Sequence, residues 1–199
     1  MSRIITIGRE FGSGGRELGR CLAELLHMEF YDKEIITQIA KRTPFTEKYL
    51  EEIENRTPHM LYPITVGKTF WNISDYSFQQ AQVVFQEQSN ILREMADKSD
   101  CVIVGRCADY ILRSRNPYRI FVYASMSSKI QRCKEREYRK QALSDEQLKQ
   151  NILKIDKARA KYYSYYSEQE WGQKENYDLC VNTSKTPIKE LAAVIAKLF

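Results

Sequence analysis

The chain has 199 residues, enough for one substantial hydrophobic core and a small appended segment but not for two ordinary domains. Hydrophobic residues make up 43% and charged residues 29% of the sequence, as is usual for a soluble globular protein. The formal net charge of +5 is compatible with nucleotides, nucleic acid or neither, so the total charge does not identify a partner.

The cysteines and histidines are too dispersed for a metal cluster. The five cysteines are odd in number and none is spaced as CxxC, which favours reduced thiols in the cytosol over a zinc site or a disulfide framework. The two histidines, His27 and His59, are far apart in the sequence. No apolar run has membrane-spanning length, and the first residues do not resemble a signal peptide. We therefore expect a cytoplasmic protein with no membrane partner.

The first predicted element is a buried strand that ends in a cluster of glycines. Ile4, Ile5 and Ile7 form a short β-branched run, and glycines follow it at positions 8, 12, 14 and 15. Leucines recur at helical spacing from Leu18, so a helix begins where the glycines end. Glycine lets the backbone turn sharply and brings several N–H groups around one point. Together with the positive end of the helix dipole, these groups predict a phosphate-binding loop.

The loop departs from the usual phosphate-loop pattern GxxxxGK[ST]. When Gly12 and Gly14 are set on the last two loop glycines, Gly15 occupies the lysine position and Arg16 the serine or threonine position, with Glu17 next. The Arg16 guanidinium is still a good partner for a β- or γ-phosphate. The usual magnesium ligand has no obvious replacement, so the metal ligands stay unassigned.

Two other interpretations of this stretch stay open. A glycine-rich turn can simply pack a helix on a sheet without binding an anion. A dinucleotide fingerprint GxGxxG that starts at Gly12 requires a glycine where Glu17 stands, so it fails at its third position. However, Asp32 lies about 20 residues on, at the end of a second predicted strand, where an NAD-binding fold places its ribose-binding acid.

Short strands and helices alternate along the rest of the chain. The predicted strands are 29–31, 101–104, 118–124 and 179–181, and the predicted helices are 35–42, 46–55, 75–98, 109–112, 144–166 and one opened by Thr186 and Pro187. Ser125, Ser127 or Ser128 caps a further, basic helix. Residues 56–74 are irregular and aromatic, and they suit a cover over a substrate base, a packing arm or a homodimer contact.

This alternation predicts a parallel sheet covered by helices on both faces, an α/β fold. Such sheets bind ligands beyond the carboxyl ends of their strands. Three features fall there: the glycine loop, Gly105 and Arg106 after the strand 101–104, and Asn182 and Thr183 after the last strand. Their coincidence predicts the active crevice better than any one of them.

The helix after the strand 118–124 is rich in basic residues. Arg132, Arg136 and Lys140 are four residues apart and share one face, with Arg139 beside them. Like charges at this spacing cost a few tenths of a kcal/mol per pair unless an anion binds or water solvates them. Because the preceding strand ends near the predicted phosphate loop, we favour a lid whose guanidinium groups meet a transferring phosphoryl group.

Together these stretches resemble the cytidylate kinase-like family, a branch of the P-loop nucleoside monophosphate kinases, over essentially the whole chain. The resembling segments, in chain order, are REFGSGGRELG, FYDKEII, VIVGRCADYIL, SSKIQRCKERE, DKARAKYYSYY and YDLCVNTS. The resemblance implies a P-loop NTPase-type α/β/α fold with a five-stranded parallel sheet, a helical acceptor-binding insertion at 43–98 and a lid-like helical region at 126–166. It also implies ATP-dependent phosphoryl transfer to CMP or dCMP, with magnesium.

By position, the resemblance assigns residues to the donor and the acceptor. The donor site takes the loop and a later Asp/Arg pair, namely Gly12, Ser13, Gly14, Gly15, Arg16, Glu17, Asp156 and Arg159. Arg106 looks like the arginine that binds the acceptor's phosphate in a Gly-Arg-Asp segment of the family. In this chain Cys107 stands at the position of the aspartate, and the nearest acid is Asp109. Asp32 and Asp109 are placed at the acceptor nucleoside. The lid arginines Arg132 and Arg136, with Arg16, would neutralise the phosphoryl group in transfer.

The leading hypothesis is therefore a nucleoside monophosphate kinase that uses ATP. The altered loop keeps a second hypothesis open, a nucleotide-binding protein with weak or no kinase activity. An NAD-type oxidoreductase is the third. Nucleic acid is a less favoured partner, because the basic residues of 156–166 are interleaved with tyrosines that suit a packing face of a helix.

Overall fold

The computed structural model describes residues 2–50, 73–137 and 143–199, without the side chains of 73–78 and 136–137. Strands and helices alternate along this part of the chain. The strands are β1 Ile4–Arg9, β2 Glu29–Tyr31, β3 Cys101–Val104, β4 Tyr118–Tyr123 and β5 Leu179–Asn182. The helices are α1 Gly15–Leu26, α2 Glu34–Arg42, α3 Ile73–Lys98, α4 Ala108–Ile111, α5 Met126–Glu137, α6 Asp145–Ser167 and α7 Ile188–Ile195, and residues 47–50 are also helical.

The strands form one parallel sheet in the order β2-β3-β1-β4-β5. The central strand is β1, whose Ile5 lies opposite Val102 of β3 on one side and Tyr118 of β4 on the other. The predicted five-stranded parallel sheet is confirmed. In a Rossmann dinucleotide fold β1 and β2 are neighbours. Here β3 separates them, so the strand order argues against the NAD-type interpretation.

Helices cover both faces of this sheet, as predicted. Side chains of a strand alternate between the two faces. Accordingly, Cys101 and Ile103 of β3 belong to the core that contains residues of α2, α3 and α4, whereas Val102 and Val104 belong to the core under α1 and α7. A smaller cluster of Cys133, Leu148 and Ile152 joins α5 to α6, and Phe11 packs against it. Both of these helices therefore lie beside the loop that follows β1.

Some element boundaries differ from the predictions. Helix α7 begins one residue later than predicted, because Pro187 and not Thr186 stands at its N-cap position. Helix α3 begins at Ile73, two residues before the predicted start, so residues 73 and 74 are helical and not irregular. Of the three serines predicted to cap α5, Ser125 takes the role, since its Oγ accepts the Ser128 N–H at 3.3 Å.

Several predictions fall outside the described residues. They concern most of the helix 46–55, the irregular stretch up to residue 72, and the basic residues Arg139 and Lys140. None of the helices in the described ranges is both long and apolar enough to cross a membrane.

Candidate functional site

The loop between β1 and α1 is turned by two glycines in left-handed conformations. Gly12 has φ +74° and Gly14 has φ +83°, values that residues with a side chain rarely adopt. Gly14 also lacks space for a side chain, because a Cβ there would overlap Ile188 Cδ1. Between the two glycines, the buried Ser13 donates its hydroxyl to the Glu10 carbonyl at 2.8 Å. The backbone of the loop is thereby held in one conformation.

Four N–H groups of the loop are already used within the protein, beginning with that of Glu10, which donates to the Val122 carbonyl at 3.0 Å. The Phe11 N–H donates to Asp156 Oδ1 at 2.6 Å. The Ser13 N–H reaches the Glu10 carbonyl and the Gly15 N–H reaches Ser13 Oγ, each at the long distance of 3.4 Å. These bonds shape the turn.

Three other N–H groups of the loop are open in the sense that no acceptor in the described part of the chain binds them. They are the N–H groups of Gly12, Gly14 and Arg16. They surround the N-terminus of α1, a helix of 12 residues whose dipole favours an anion at this end. The loop therefore fits a phosphate or polyphosphate group.

Arg132 and Thr183 hold the loop from its carbonyl side. Thr183 Oγ1, at the end of β5, donates to the Ser13 carbonyl at 2.6 Å. The Arg132 guanidinium lies 3.4 Å from the same carbonyl and donates to the Thr183 carbonyl. Arg132, which the sequence assigned to the transferred phosphoryl group, thus contacts carbonyl oxygens of the loop and not the side with the open N–H groups. The side chain of Arg136, on the same helix, lies outside the described part of the chain.

Arg16 and Asp32 form an ion pair between Nε and Oδ2, where α1 begins and β2 ends. The Asp32 side chain is 12% exposed and that of Arg16 is 44% exposed, so the pair lies at the rim of the loop. The sequence assigned Arg16 to the donor and to the transferred phosphoryl group, and Asp32 to the acceptor nucleoside. The structure brings the two residues together. Glu17, in the first turn of α1, is exposed.

A buried lysine of α5 also lies at the loop. Lys129 Nζ is 2.8 Å from Glu10 Oε2 and 2.9 Å from Asp156 Oδ2. Burial raises the pKa of Asp156, while its hydrogen bonds with the Phe11 N–H and with Lys129 oppose that shift. Asp156, which the sequence assigned to the nucleotide, therefore contacts the loop itself.

A second polar site lies at the carboxyl ends of β1 and β3. It is a cavity of about 40 Å³ lined by three arginines, one acid and several aromatic residues, among them Arg9, Arg106, Arg159, Asp109, Tyr162, Tyr163, Trp171 and Tyr177. Arg159 Nη1 donates to the Arg9 carbonyl at 3.1 Å. The Arg9 guanidinium passes over Gly105, where a Cβ would overlap it. Three arginines that line one cavity suit an anionic ligand.

The turn after β3 carries Arg106 to this cavity in a strained conformation. Gly105, Arg106 and Cys107 are consecutive residues with positive φ, of +75°, +64° and +52°. A left-handed residue with a Cβ costs about 1–2 kcal/mol, and such strain concentrates at functional sites. Gln88 of α3, buried, stabilises the turn by donating to the Arg106 carbonyl at 3.0 Å. Arg159 and Arg106 thus meet at one cavity, although the sequence assigned them to different substrates.

Asp109 is a buried acid of the same cavity. The Tyr163 hydroxyl donates to Asp109 Oδ2 at 2.7 Å. Burial raises the pKa of Asp109, and the Tyr163 hydrogen bond offsets part of that rise. Burial and the charge of Asp109 raise the pKa of Tyr163, and burial raises that of Tyr177. Both hydroxyls therefore stay protonated and able to donate.

Magnesium finds no ligand set of its own among the described residues. They contain no group of three or more His, Cys, Asp or Glu side chains that could hold a metal ion. Arg16 stands where the hydroxyl ligand of a phosphate loop belongs, and it pairs with Asp32. The carboxylates of Glu10 and Asp156 hold Lys129. The loop thus fits a polyphosphate, whereas its side chains do not fit a metal ion.

Sequence reasoning missed Arg9, Lys129 and Tyr163 as site residues. Arg9 lies within the glycine-rich stretch and could have been included, because it follows Gly8 directly at the end of β1. Tyr163 belongs to a tyrosine-rich run that was assigned to packing. Lys129 stands among other basic residues of α5, and no local pattern distinguishes it from them.

Solved structures share this fold. An uncharacterized protein from Eubacterium ventriosum ATCC 27560, known from a crystal structure, is 28% identical, with a TM-score of 0.70 over 99% of this chain and 98% of that chain. The shikimate kinase from Acinetobacter baumannii in complex with shikimate is 20% identical, with a TM-score of 0.51 over 100% and 92% of the two chains. The shikimate kinase from Bacteroides thetaiotaomicron is 17% identical, with a TM-score of 0.58 over 98% and 97%.

At such low identity the two shikimate kinases show the fold alone. No curated protein matches the sequence. The model of the cytidylate kinase-like family matches residues 4–185, which include the glycine loop, the Arg106 turn and Thr183. The chain therefore belongs to the cytidylate kinase-like family.

Proposed function

We propose that the protein transfers a phosphoryl group from ATP to a nucleoside monophosphate, with CMP or dCMP as the first candidates. The observation that carries this proposal is the adjacency of two places that suit an anion, the open N–H groups of the loop and the arginine-lined cavity. Arg9 links them, because it ends β1 directly before the loop and lines the cavity. A kinase needs two such sites, one for the donor phosphates and one for the acceptor's phosphate.

The donor phosphates would bind the N–H groups of Gly12, Gly14 and Arg16, supported by the dipole of α1. The Arg16 guanidinium, exposed at the rim, is the catalytic cation in this proposal, and Arg136 on α5 is a second one. Arg132 holds the loop from the carbonyl side, so we assign it a positioning role. Phosphoryl transfer depends mainly on positioning and on stabilising charge, which these groups supply.

The acceptor's phosphate would bind at Arg106, with Arg9 and Arg159 beside it. Asp109, held by Tyr163, and Asp32 would contact the nucleoside, as the family resemblance implies. The region 43–98 would contribute to acceptor binding, and 126–166 would act as the lid-like region. Magnesium would arrive with the nucleotide, ligated by phosphate oxygens and water. The five free cysteines suit the reducing cytoplasm, which is the compartment we propose.

A panel of monophosphates tests this function. CMP, dCMP, UMP, AMP and GMP are each incubated with ATP and magnesium and followed by phosphorus NMR. The expected result is ADP together with a new diphosphate, formed fastest from CMP or dCMP. If no monophosphate of the panel is phosphorylated, the proposed kinase activity is wrong.

A second candidate is a nucleotide-binding protein with weak or no kinase activity. The observation that favours it is the pair Gly15 and Arg16, which replaces the lysine and hydroxyl of a standard loop. Calorimetry separates the candidates. ATP binding in a protein that phosphorylates no monophosphate would favour this second function.

A further inference from the structure

The buried Lys129 has no role in the function proposed above. Its side chain is 6% exposed, and its ammonium bridges Glu10 and Asp156. Removing such charges from water costs free energy that their attraction often only balances, so a buried ion pair is weak evidence for stability. Its position can instead fix a specific arrangement of the chain.

Both carboxylates that hold Lys129 also hold the loop. Glu10 is the first loop residue, and its Oε2 accepts the Ala124 N–H at 3.2 Å. Asp156 Oδ1 accepts the N–H of Phe11, the second loop residue, at 2.6 Å. Lys129 lies between the two carboxylates and joins the loop to α5 and α6.

The usual place for a loop lysine is closed in this protein. A Cβ at Gly15 would lie 2.5 Å from Arg9 Cβ and 3.2 Å from Val122 Cβ, so no side chain fits there. A cation nevertheless reaches the loop from α5. The Lys129 carbonyl would lie only 3.1 Å from a Cβ at Gly12, so the lysine backbone touches the turn itself.

We propose that Lys129 is a positioning residue of the donor site. It holds Glu10 and Asp156, and through them the loop, so that the N–H groups of Gly12, Gly14 and Arg16 converge on one polyphosphate. Lys129 thus orders the loop, as the lysine of a standard phosphate loop would, but it does not contact the phosphate. The inference rests on the proposed function for the identity of the donor, ATP.

Three variants of lysines on α5 test this role. K129M removes the charge but keeps an unbranched side chain, and K129R keeps the charge. K134M is the matched control, because Lys134 is 44% exposed and pairs with the exposed Asp145 at 2.6 Å. ATP affinity is measured by calorimetry, and the KM values of ATP and of the acceptor by steady-state kinetics.

The expected result is a loss that is specific to the donor. K129M should raise the Kd of ATP about tenfold or more, K129R should recover most of the affinity, and K134M should leave it unchanged. The KM of the acceptor should change by less than about twofold. A general loss of structure would instead raise the KM of both substrates. A folded K129M that binds ATP like the wild type overturns the inference.

Two isosteric variants serve if K129M does not fold. D156N and E10Q keep the size of each carboxylate and remove one charge of the bridge. Each should raise the Kd of ATP about threefold to tenfold with the acceptor KM unchanged. Wild-type affinity in both variants overturns the inference.

The proposed function can fail separately. A wild-type protein that phosphorylates no monophosphate contradicts the kinase activity, whereas the calorimetric comparison still decides the role of Lys129. If the wild type does not bind ATP, the role of Lys129 in ordering the loop is tested in the ligand-free protein. The measurement is then the NMR signals of the Gly12 and Gly14 N–H groups. Unchanged signals in K129R and changed signals in D156N and E10Q support the role, and unchanged signals in all three overturn it.

Discussion

Single residues of the loop are constrained by both backbone conformation and packing. Gly14 combines φ +83° with a direct overlap between any Cβ and Ile188. Gly172, in the segment before β5, has a similar φ of +79°, and a Cβ there would lie 3.0 Å from Phe121 Cζ. The two positions therefore share the conformational cost of a side chain but differ in their relation to the donor site.

Gly14→Ala should destabilise the protein and weaken ATP binding. The left-handed conformation and the displaced Ile188 together should cost about 1–3 kcal/mol in the free energy of unfolding. The Kd of ATP should rise about tenfold or more, because the open N–H groups move. Urea unfolding and calorimetry measure the two effects. Gly172→Ala is the control, and an equal loss of ATP affinity in both variants would contradict the role of the loop.

Asp109→Asn should change the pH dependence of stability. Burial raises the pKa of Asp109 in the folded protein, so folding favours its protonated form. Its contribution to stability is therefore lost as pH rises from about 4 through the folded pKa, and at neutral pH the buried charge is a cost. Asparagine keeps an acceptor for the Tyr163 hydroxyl and carries no charge. The variant should gain stability relative to the wild type as pH rises.

Urea unfolding of both proteins between pH 4 and pH 8 checks this prediction. The difference between their free energies of unfolding isolates Asp109 from the other carboxylates. The prediction is contradicted if the difference does not vary with pH or favours the wild type increasingly towards neutral pH. Either result would show that burial does not raise the pKa of Asp109.

Among the elements, α6 has a defined N-terminus and carries two residues of the site. Ser144 Oγ accepts the Gln147 N–H at 3.2 Å, and the Ser144 N–H donates to Gln147 Oε1 at 2.9 Å, which together form a capping box. Farther along the same helix, Asp156 bonds to Phe11 and Arg159 to Arg9. The cap that fixes the start of α6 therefore also helps to fix the position of the loop.

Ser144→Ala should cost about 1 kcal/mol in the free energy of unfolding, because it removes the cap. Ser164 is exposed in the interior of the same helix, where alanine has the higher helix propensity. Ser164→Ala should therefore leave stability unchanged or raise it by a few tenths of a kcal/mol. Thermal unfolding of both variants compares them. Equal destabilisation would show that the cap does not act as described.

The elements differ in how well the sequence specifies them. Strands β2 and β3 match their predicted bounds, and for β3 the reason is that a buried parallel strand is a short apolar run between turn residues. The start of α6 was predicted to within one residue, since Ser144 precedes an acidic first turn. The start of α7 was misplaced by one residue, because Thr186 has the residue type of a cap but its side chain does not serve as one. Local chemistry thus predicts elements better than their ends.

At the level of the whole molecule, the site depends on two cores that fix the helices to the sheet. Leu22 of α1 is fully buried in the core shared with α7, whereas Leu25 on the same helix is 50% exposed. Leu22→Ala should cost about 2–5 kcal/mol, and Leu25→Ala less than about 0.5 kcal/mol. Urea unfolding measures both. Similar losses in the two variants would contradict the packing of α1.

The contacts within the site explain what the sequence could not predict. The glycine loop was found because glycine spacing is a local signal. The residues that hold the loop come from distant parts of the chain: Asp156 is 145 residues from Phe11, and Thr183 is 170 residues from Ser13. The sequence placed Asp156 and Thr183 at the crevice but not on the loop, and it did not single out Lys129. Such partners are set by how α5 and α6 pack, which no short pattern encodes.

The most direct measurement is NMR of the protein labelled with nitrogen-15 only at glycine, because the chain has just 8 glycines. During an ATP titration, the signals of Gly12 and Gly14 should shift strongly as their N–H groups bond to phosphate, while Gly19, buried within α1, should shift little. Pyrophosphate should shift the same two signals. If ATP leaves Gly12 and Gly14 unchanged, or shifts other glycines instead, the loop is not the polyphosphate site.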